Sequence, residues 1–384
     1  MMLKSIKNVE IVNKKVLLRL DLNVPMHNGC IQSDFRIKKS IPTILHLIKN
    51  NNSIIILSHL GRPDEGKNTP ELSLRKISEC LAKELGFAVK FLENWVNGFE
   101  IGRNEIVMCE NVRFQKGEKE NDKILSKKIA ALADIFVFDA FGTSHRKESS
   151  TYGVMDYIDS YSGLLVDDEI KNANKVIHNE KKPLLTIIAG AKISTKIKII
   201  SKLIHKSDFM ILGGGILNTF LYALGYEIGK SLVEKEFIDD AVKIIKSSHF
   251  KKIILPEDVI CSEPEKTNQF KNKSVSMVQL NESIFDIGKQ TINKYKSIIE
   301  SSKTIFWNGP LGYVEKKPFD IGTVEILKKI ASSDVYSIIG GGDTIPIVER
   351  LNLQNEVTYL STGGGSLLKY MEGEKLPAIS KLDR

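Results

Sequence analysis

Short, unbroken apolar runs recur along the whole chain, and between them the hydrophobic period lengthens to that of a helix. In the first half the runs are Val16–Leu20, Ser53–Ser58, Glu105–Cys109 and Ile135–Asp139. In the second they are Leu184–Ala189, Asp208–Leu212, Lys252–Leu255, Thr304–Trp307 and Val335–Ile339. Runs without polar alternation predict strands covered on both faces, the habit of parallel sheets joined by crossover helices. The intervening stripes agree: Ile37, Ile41, Ile44, Leu45 and Ile48 share one helical face, as do Ile193, Ile197, Ile200 and Ile204. Pro42 removes a backbone donor within the first stripe and predicts a kink there.

A chain of 384 residues is too long for one ordinary core, so two α/β domains are expected. A polar helical segment from Leu164 to about Lys182, ending before Pro183, is the candidate connector. No apolar run reaches the ~18 residues of a membrane span. The opening Met1-Met2-Leu3-Lys4 leads into polar sequence, so no signal peptide is expected. The four cysteines are scattered, which predicts neither a zinc site nor a disulfide framework and fits a reduced cytoplasm. The net charge of +8 comes from lysines spread singly rather than from one patch, which argues against nucleic acid as the main partner. No extra apolar segment stands outside the two-domain pattern, so a monomer is expected.

Ligands of open parallel sheets bind beyond the carboxyl ends of the strands. Three glycine triplets follow apolar runs in the second half: Gly213-Gly214-Gly215, Gly340-Gly341-Gly342 and Gly363-Gly364-Gly365. Glycine at such ends lets bare backbone approach phosphate. Lys192 and Lys196, read as one face of a helix opening after Ala189-Gly190, either straddle an anion or are two solvated lysines. Asp343 offers the hard oxygen that Mg²⁺ prefers, and Thr344 offers a helix cap; the same pair read blandly only satisfies helix amides. Trp307-Asn308-Gly309-Pro310 reads as a strand end plus turn, with Glu315 as a ribose or metal-shell partner. The chain has no G-x-x-x-x-G-K-[ST] and no G-x-G-x-x-G opening the first helix, which excludes a P-loop and a dinucleotide fingerprint.

The strand ends of the first half instead carry cations: Arg19, His59, Arg62, Arg113, His145 and Arg146, with Arg36 in the first helical stripe. The period of two sets Arg19, Asp21 and Asn23 on one side of an extended segment. Any one arginine reads as a surface ion pair; several at neighbouring strand ends suit a substrate bearing carboxylate and phosphate. The two halves thus predict two half-sites facing one cleft, one for a nucleotide and one for a small anion.

These residues fall into motifs that resemble phosphoglycerate kinases along essentially the whole length: Arg-Leu-Asp-Leu-Asn-Val-Pro from Arg19, His-Leu-Gly-Arg-Pro from His59, Glu-Asn-Val-Arg-Phe from Glu110 and Asp-Ala-Phe-Gly-Thr-Ser-His-Arg from Asp139. They continue through Gly-Ala-Lys at Gly190, Trp-Asn-Gly-Pro at Trp307, Gly-Gly-Gly-Asp-Thr at Gly340 and Ser-Thr-Gly-Gly-Gly at Ser361. The resemblance implies two doubly wound, Rossmann-like domains facing each other across a cleft. It places a phosphoglycerate-binding domain at 1–165, a connector helix at 166–182, a nucleotide-binding domain at 183–369 and a returning C-terminal segment at 370–384. It implies reversible, Mg²⁺-dependent, in-line phosphoryl transfer from 1,3-bisphosphoglycerate to ADP, giving 3-phosphoglycerate and ATP after hinge-bending closure. By matching motif positions, Asp21, Asn23, Arg36, His59, Arg62, Arg113 and Arg146 would hold the phosphoglycerate. Lys196, Gly213, Gly214, Asn308, Glu315, Gly341, Gly342, Asp343 and Thr344 would hold nucleotide, with Asp343 facing the metal. Arg36, Lys192, Gly364 and Gly365 would surround the transferring group. His59 and His145 are candidate general bases, but transfer onto an ionised carboxylate needs no proton abstraction, which favours plain hydrogen bonding.

Three departures from the family pattern stand out: Ala189 in place of a glycine, Leu217 in place of a small residue, and Ser366-Leu367-Leu368-Lys369 in place of a stretch ending in an acid. Leu217 is expected to narrow the adenine pocket. Lys369, placed near a helix start, is expected to be unfavourable by up to ~1 kcal/mol. The Leu217 and Lys369 departures, with the basic pI, motivate an alternative, a nucleotide- or anion-binding moonlighting protein of the same fold with impaired catalysis.

Overall fold

The computed structural model describes residues 3–178 and 181–383. The chain divides into two compact units, Met1–Lys171 with Glu374–Arg384, and Asn172–Gly373. Residues 179 and 180 of the expected connector lie outside the described residues, as do Met1, Met2 and Arg384. Its helical part spans Leu164–Ile177 and crosses the boundary between the units.

In the first unit the strands are β1 (Lys15–Leu20), the hairpin β2 (Met26–His27) and β3 (Cys30–Ile31), β4 (Ser53–Leu57), β5 (Lys90–Leu92), β6 (Ile106–Cys109), β7 (Ile135–Asp139) and β8 (Ser160–Ser162). Six of them form one sheet in the order β5-β6-β4-β1-β7-β8, and every neighbouring pair is parallel. The chain starts in the middle at β1, works outward through β4, then returns to the other side of β1 as β7, so strand order reverses there. Apolar residues of β1 and β4 are fully buried with Ile37, Ile44 and Leu47 of helix Phe35–Ile48, which runs through Pro42 as one element. The C-terminal segment belongs to this unit: Lys4 N donates to Leu382 O at 2.9 Å, and Lys381 Nζ donates to Asp156 Oδ1 at 2.6 Å.

In the second unit the strands are β9 (Leu184–Ala189), β10 (Phe209–Gly213), β11 (Asp258–Ser262), β12 (Lys271–Ser274), β13 (Ser283–Ile287), β14 (Thr304–Asn308), β15 (Tyr336–Gly340) and β16 (Tyr359–Leu360). The main sheet runs β10-β9-β14-β15-β16, again all parallel, with the reversal between β9 and β14. A separate antiparallel sheet, β12-β11-β13, has no counterpart in the apolar pattern. Its strand β12, Lys271–Ser274, is mostly exposed and carries no apolar residue.

The expected strand Lys252–Leu255 is a correction. Phe250–Lys252 forms a 3₁₀ turn, and Ile253 makes only an isolated bridge to Met210 before Pro256, which has no N–H for a ladder. Leu18 is fully buried in β1 between β4 and β7. Leu18→Ala should therefore destabilise the first unit by about 2–5 kcal/mol, read from its urea unfolding transition; a loss under 1 kcal/mol would contradict this placement.

Candidate active site

In the first unit the cations converge at the carboxyl edge of the sheet, each held by a different element. Arg36, in the first turn of Phe35–Ile48, forms an ion pair with Asp21, just past β1. Burial raises the Asp21 carboxyl, but Arg36, then His59 and Arg19, together bring it below its usual value. Past β4, His59 places Nδ1 4.0 Å from Asp21 Oδ1, and Asn23 Oδ1 accepts from Gly61 N at 2.9 Å. Past β6, Asn111 builds the turn that presents Arg113: its Oδ1 accepts from Arg113 N at 3.1 Å, while Nδ2 donates to Leu60 O and Leu72 O. Arg113 Nη1 then donates to Gly61 O at 2.7 Å and Nη2 to Glu148 Oε1 at 3.0 Å. Arg146 lies 3.6 Å from the same Glu148 oxygen, and its Nε donates to His145 Nε2 at 3.3 Å. Arg62 and Asn23 are exposed.

Two further acids among these cations carried no sequence signal. Glu148 sits in an ordinary polar run, and Glu118 is one of several charges in Lys116-Gly-Glu-Lys-Glu, yet both are buried. Even with them in place, Arg113 Nε and Arg146 Nη1 are buried without a hydrogen-bond partner among the described residues. An edge with four arginines, one buried histidine and unsatisfied guanidinium donors is chemically suited to a small polyanion.

In the second unit two adjoining cavities open at the reversal between β9 and β14. The larger, about 460 Å³, is lined by Gly214, Leu217, Phe285, Leu311, Tyr313, Glu315 and Asp343, among others. Its walls are mostly apolar and aromatic, and Phe285 and Tyr313 stand with ring centroids 6.1 Å apart. Leu217 is buried in its wall. The smaller, about 350 Å³, is lined by Lys192, Lys196, Asn308, Gly341, Gly342, Asp343, Gly364 and Gly365. Asp343, exposed, lines both. Gly213 lines neither.

Lys192 and Lys196 are not on one helical face, a second correction. Ile193 is fully buried and draws the chain into a 3₁₀ turn, Ile193–Thr195, so the helix begins only at Ile197. Glu234 pins that turn, accepting from Ser194 N and Oγ, each at 2.8 Å. Lys192 is exposed and extended. Lys196 reaches back to the strand ends, with Nζ donating to Ala189 O at 2.5 Å and to Asn308 O at 3.3 Å. Thr344 also differs from expectation: already in helical geometry, it makes no side-chain cap, and its hydroxyl is buried without a partner among the described residues. Lys369 lies in the last turn of Gly365–Met371, where the helix dipole favours a cation, rather than near its start.

The glycines serve two ends. Gly215 is demanded by packing, since a Cβ there would lie 2.2 Å from Ala191 O, and Gly309 combines a φ of +94° with a Cβ that would meet Ala189 O at 1.9 Å. Gly342, Gly364 and Gly365 are different: a Cβ on any of them would meet nothing within 4 Å. Their backbone borders open cavity, where a side chain would occupy space beside the two lysines.

Burial pushes the Lys196 amine down to about 8, and the Asp343 carboxylate pulls against that fall. Asp343→Asn removes the opposing charge, so the amine should titrate lower than in the wild type, read from the pH dependence of its chemical acylation. An unchanged or higher midpoint would contradict this coupling.

The Phosphoglycerate kinase family profile matches residues 6–374. A protein of Legionella pneumophila (strain Paris) called phosphoglycerate kinase is 43% identical over 386 residues, covering 100% of this chain and 98% of its own. Its counterpart in Coxiella burnetii is 42% identical over 379 residues, covering 98% of this chain and 97% of its own. The solved structure of phosphoglycerate kinase from Coxiella burnetii superposes with a TM-score of 0.88 at 42% identity, covering 99% of both chains. That from Pyrococcus horikoshii does so with a TM-score of 0.88 at 29% identity, covering 98% of both. With strand-end arginines in one unit, paired cavities in the other and this match over nearly its whole length, the chain belongs to the phosphoglycerate kinase family.

Proposed function

We propose that this chain catalyses reversible phosphoryl transfer from 1,3-bisphosphoglycerate to ADP, giving 3-phosphoglycerate and ATP, with Mg²⁺. The observation that carries the reading is the division of labour between the units. One gathers arginines around a small polyanion site; the other offers an apolar cavity joined to a glycine- and lysine-lined one, the shape of a base followed by its phosphates.

In this reading Asp21, Asn23, Arg36, His59, Arg62, Arg113 and Arg146 hold the phosphoglycerate. Glu315 takes the ribose, and Lys196, Asn308 and Gly341 to Thr344 take the nucleotide phosphates, while Gly214 lines the apolar cavity and Gly213 shapes its wall from behind. A magnesium ion carried by the nucleotide would be held by Asp343, the one carboxylate that borders both cavities among the described residues. Mg²⁺ needs one or two carboxylates beside phosphate and water, so this donor set fits it. The ion would neutralise phosphate charge when bound. Lys192, Arg36 and the amides of Gly364 and Gly365 stabilise the equatorial oxygens of the transferring group. The reacting atoms must meet in line with water excluded, so the reading includes closure about the connector helix.

Neither departure that motivated a binding protein with impaired catalysis obstructs the site. Leu217 leaves a cavity of about 460 Å³, and Lys369 is placed favourably on its helix. No helix among the described residues is long and apolar enough to cross a membrane; a cytoplasmic monomer completes the proposal.

The direct test is Mg²⁺-dependent transfer from ATP to 3-phosphoglycerate with the product drained by a coupled reductase. Lys192→Ala should lower kcat about 10²–10³-fold with little change in KM, as for a group that acts in the transition state. A pure KM effect would remove Lys192 from that role. A wild type that binds nucleotide yet stays silent in the assay would overturn the enzymatic reading.

A further inference from the structure

Arg19 is fully buried in β1, in register with Leu57 of β4, two residues before His59. All three guanidinium nitrogens are engaged within the protein. Nε donates to Ser150 Oγ at 3.0 Å, Nη1 donates to Leu20 O, and Nη2 lies 3.3 Å from His59 Nδ1. Behind it, Ser150 Oγ donates to Glu118 Oε1 at 2.5 Å and Ser150 N donates to Glu118 Oε2 at 3.1 Å, so a buried carboxyl group backs the buried cation through one hydroxyl. Held on three sides, Arg19 cannot turn toward a ligand as the exposed Arg62 can.

A guanidinium carries only N–H donors. The contact with His59 therefore requires Nδ1 to be the acceptor, without a proton, which leaves the ring's single N–H on Nε2. Asp21 does not compete for that nitrogen, because its nearest oxygen is 4.0 Å from Nδ1, beyond hydrogen-bond range. The ring is 2% exposed. The charged groups facing it are Asp21 on one side and Arg19, Arg113 and Arg146 on the others. Burial pushes its pKa well below the usual value, Asp21 opposes that, and the three arginines reinforce it.

We infer that Arg19 is a positioning residue that fixes His59 as the neutral tautomer with its proton on Nε2, so that the ring offers the substrate a hydrogen-bond donor and no base. The substrate half of this statement rests on the phosphoglycerate reading; the tautomer does not. It also divides the arginines of this edge by task. Arg19 serves the histidine, and the others serve the ligand.

The full-length protein labelled with ¹⁵N-histidine decides the matter by long-range nitrogen–proton correlation spectra between about pH 5.5 and 8. The expected result is a His59 ring with unprotonated Nδ1, protonated Nε2 and no titration across the range. A proton on Nδ1, or an imidazolium appearing near pH 6.5, overturns the proposal from the wild-type spectrum alone, whatever any variant does. In Arg19→Met, Asp21 remains while one opposing cation is gone, so the His59 midpoint should rise and Nδ1 should become free to carry the ring proton. KM for 3-phosphoglycerate should rise about tenfold with Kd for Mg-ADP unchanged, the cost of one misdirected hydrogen bond to a charged ligand. A folded Arg19→Met protein whose His59 keeps the wild-type tautomer and still shows no titration across this range overturns the role of Arg19. Should the wild type lack kinase activity, the tautomer result still stands or falls by itself.

Discussion

Burying several arginines at one sheet edge is possible only if carboxylates are buried among them. A guanidinium withdrawn from water loses several kcal/mol of solvation that a well-placed anion must replace. In the first unit Asp21 meets Arg36, Glu148 meets Arg113 and Arg146, and Glu118 backs Arg19 through Ser150. The balance is incomplete by design of the edge. Counting the groups named here, Arg19, Arg36, Arg113 and Arg146 face Asp21, Glu118 and Glu148, and burial pushes the Glu118 carboxyl up to about 7, weakening its share of negative charge near neutrality. The remaining positive potential at this edge is what a phosphorylated carboxylic acid would satisfy.

The second unit borders its cavities with bare backbone beside a few charged side chains. Strands β9 and β14 separate at their carboxyl ends, and the Lys196 ammonium holds the carbonyls of Ala189 and Asn308 there. Close packing of Gly215 and Gly309 against the loop after β9 thins this wall to bare main chain. The apolar cavity on one side and the glycine- and lysine-bordered one on the other share Asp343, so the lining changes from apolar to polar across that carboxylate.

Much of this was legible in the sequence because the apolar runs are long and uninterrupted where strands are central. The runs at Val16, Ser53, Ile135, Leu184 and Thr304 are strands in the middle of their sheets. The same signal found one edge strand, β10, and failed at others. Tyr359–Leu360 and Ser160–Ser162 are too short for any period to register, Lys271–Ser274 has no apolar residue, and Lys252–Leu255 has the right composition but faces Pro256. At the site, residue type located the arginines and glycines, whereas local geometry escaped. Nothing in Lys192-Ile-Ser-Thr-Lys196 announces that Ile193 will bury itself and break the helical spacing of the two lysines. Glu118 and Glu148 escaped for a related reason: a charge in a polar run looks solvated until the fold encloses it.

In the proposed function, two chemically independent half-sites reside in separate units of one chain. Calorimetric titration of 3-phosphoglycerate and of Mg-ADP, each alone, onto the wild type, Arg113→Ala and Asp343→Asn tests it most directly. The account predicts orthogonal losses: Arg113→Ala weakens 3-phosphoglycerate at least tenfold, about what a hydrogen bond to a charged group is worth, and leaves Mg-ADP unchanged, while Asp343→Asn does the reverse. Both ligands lost together in either folded variant, or neither affected, would contradict it.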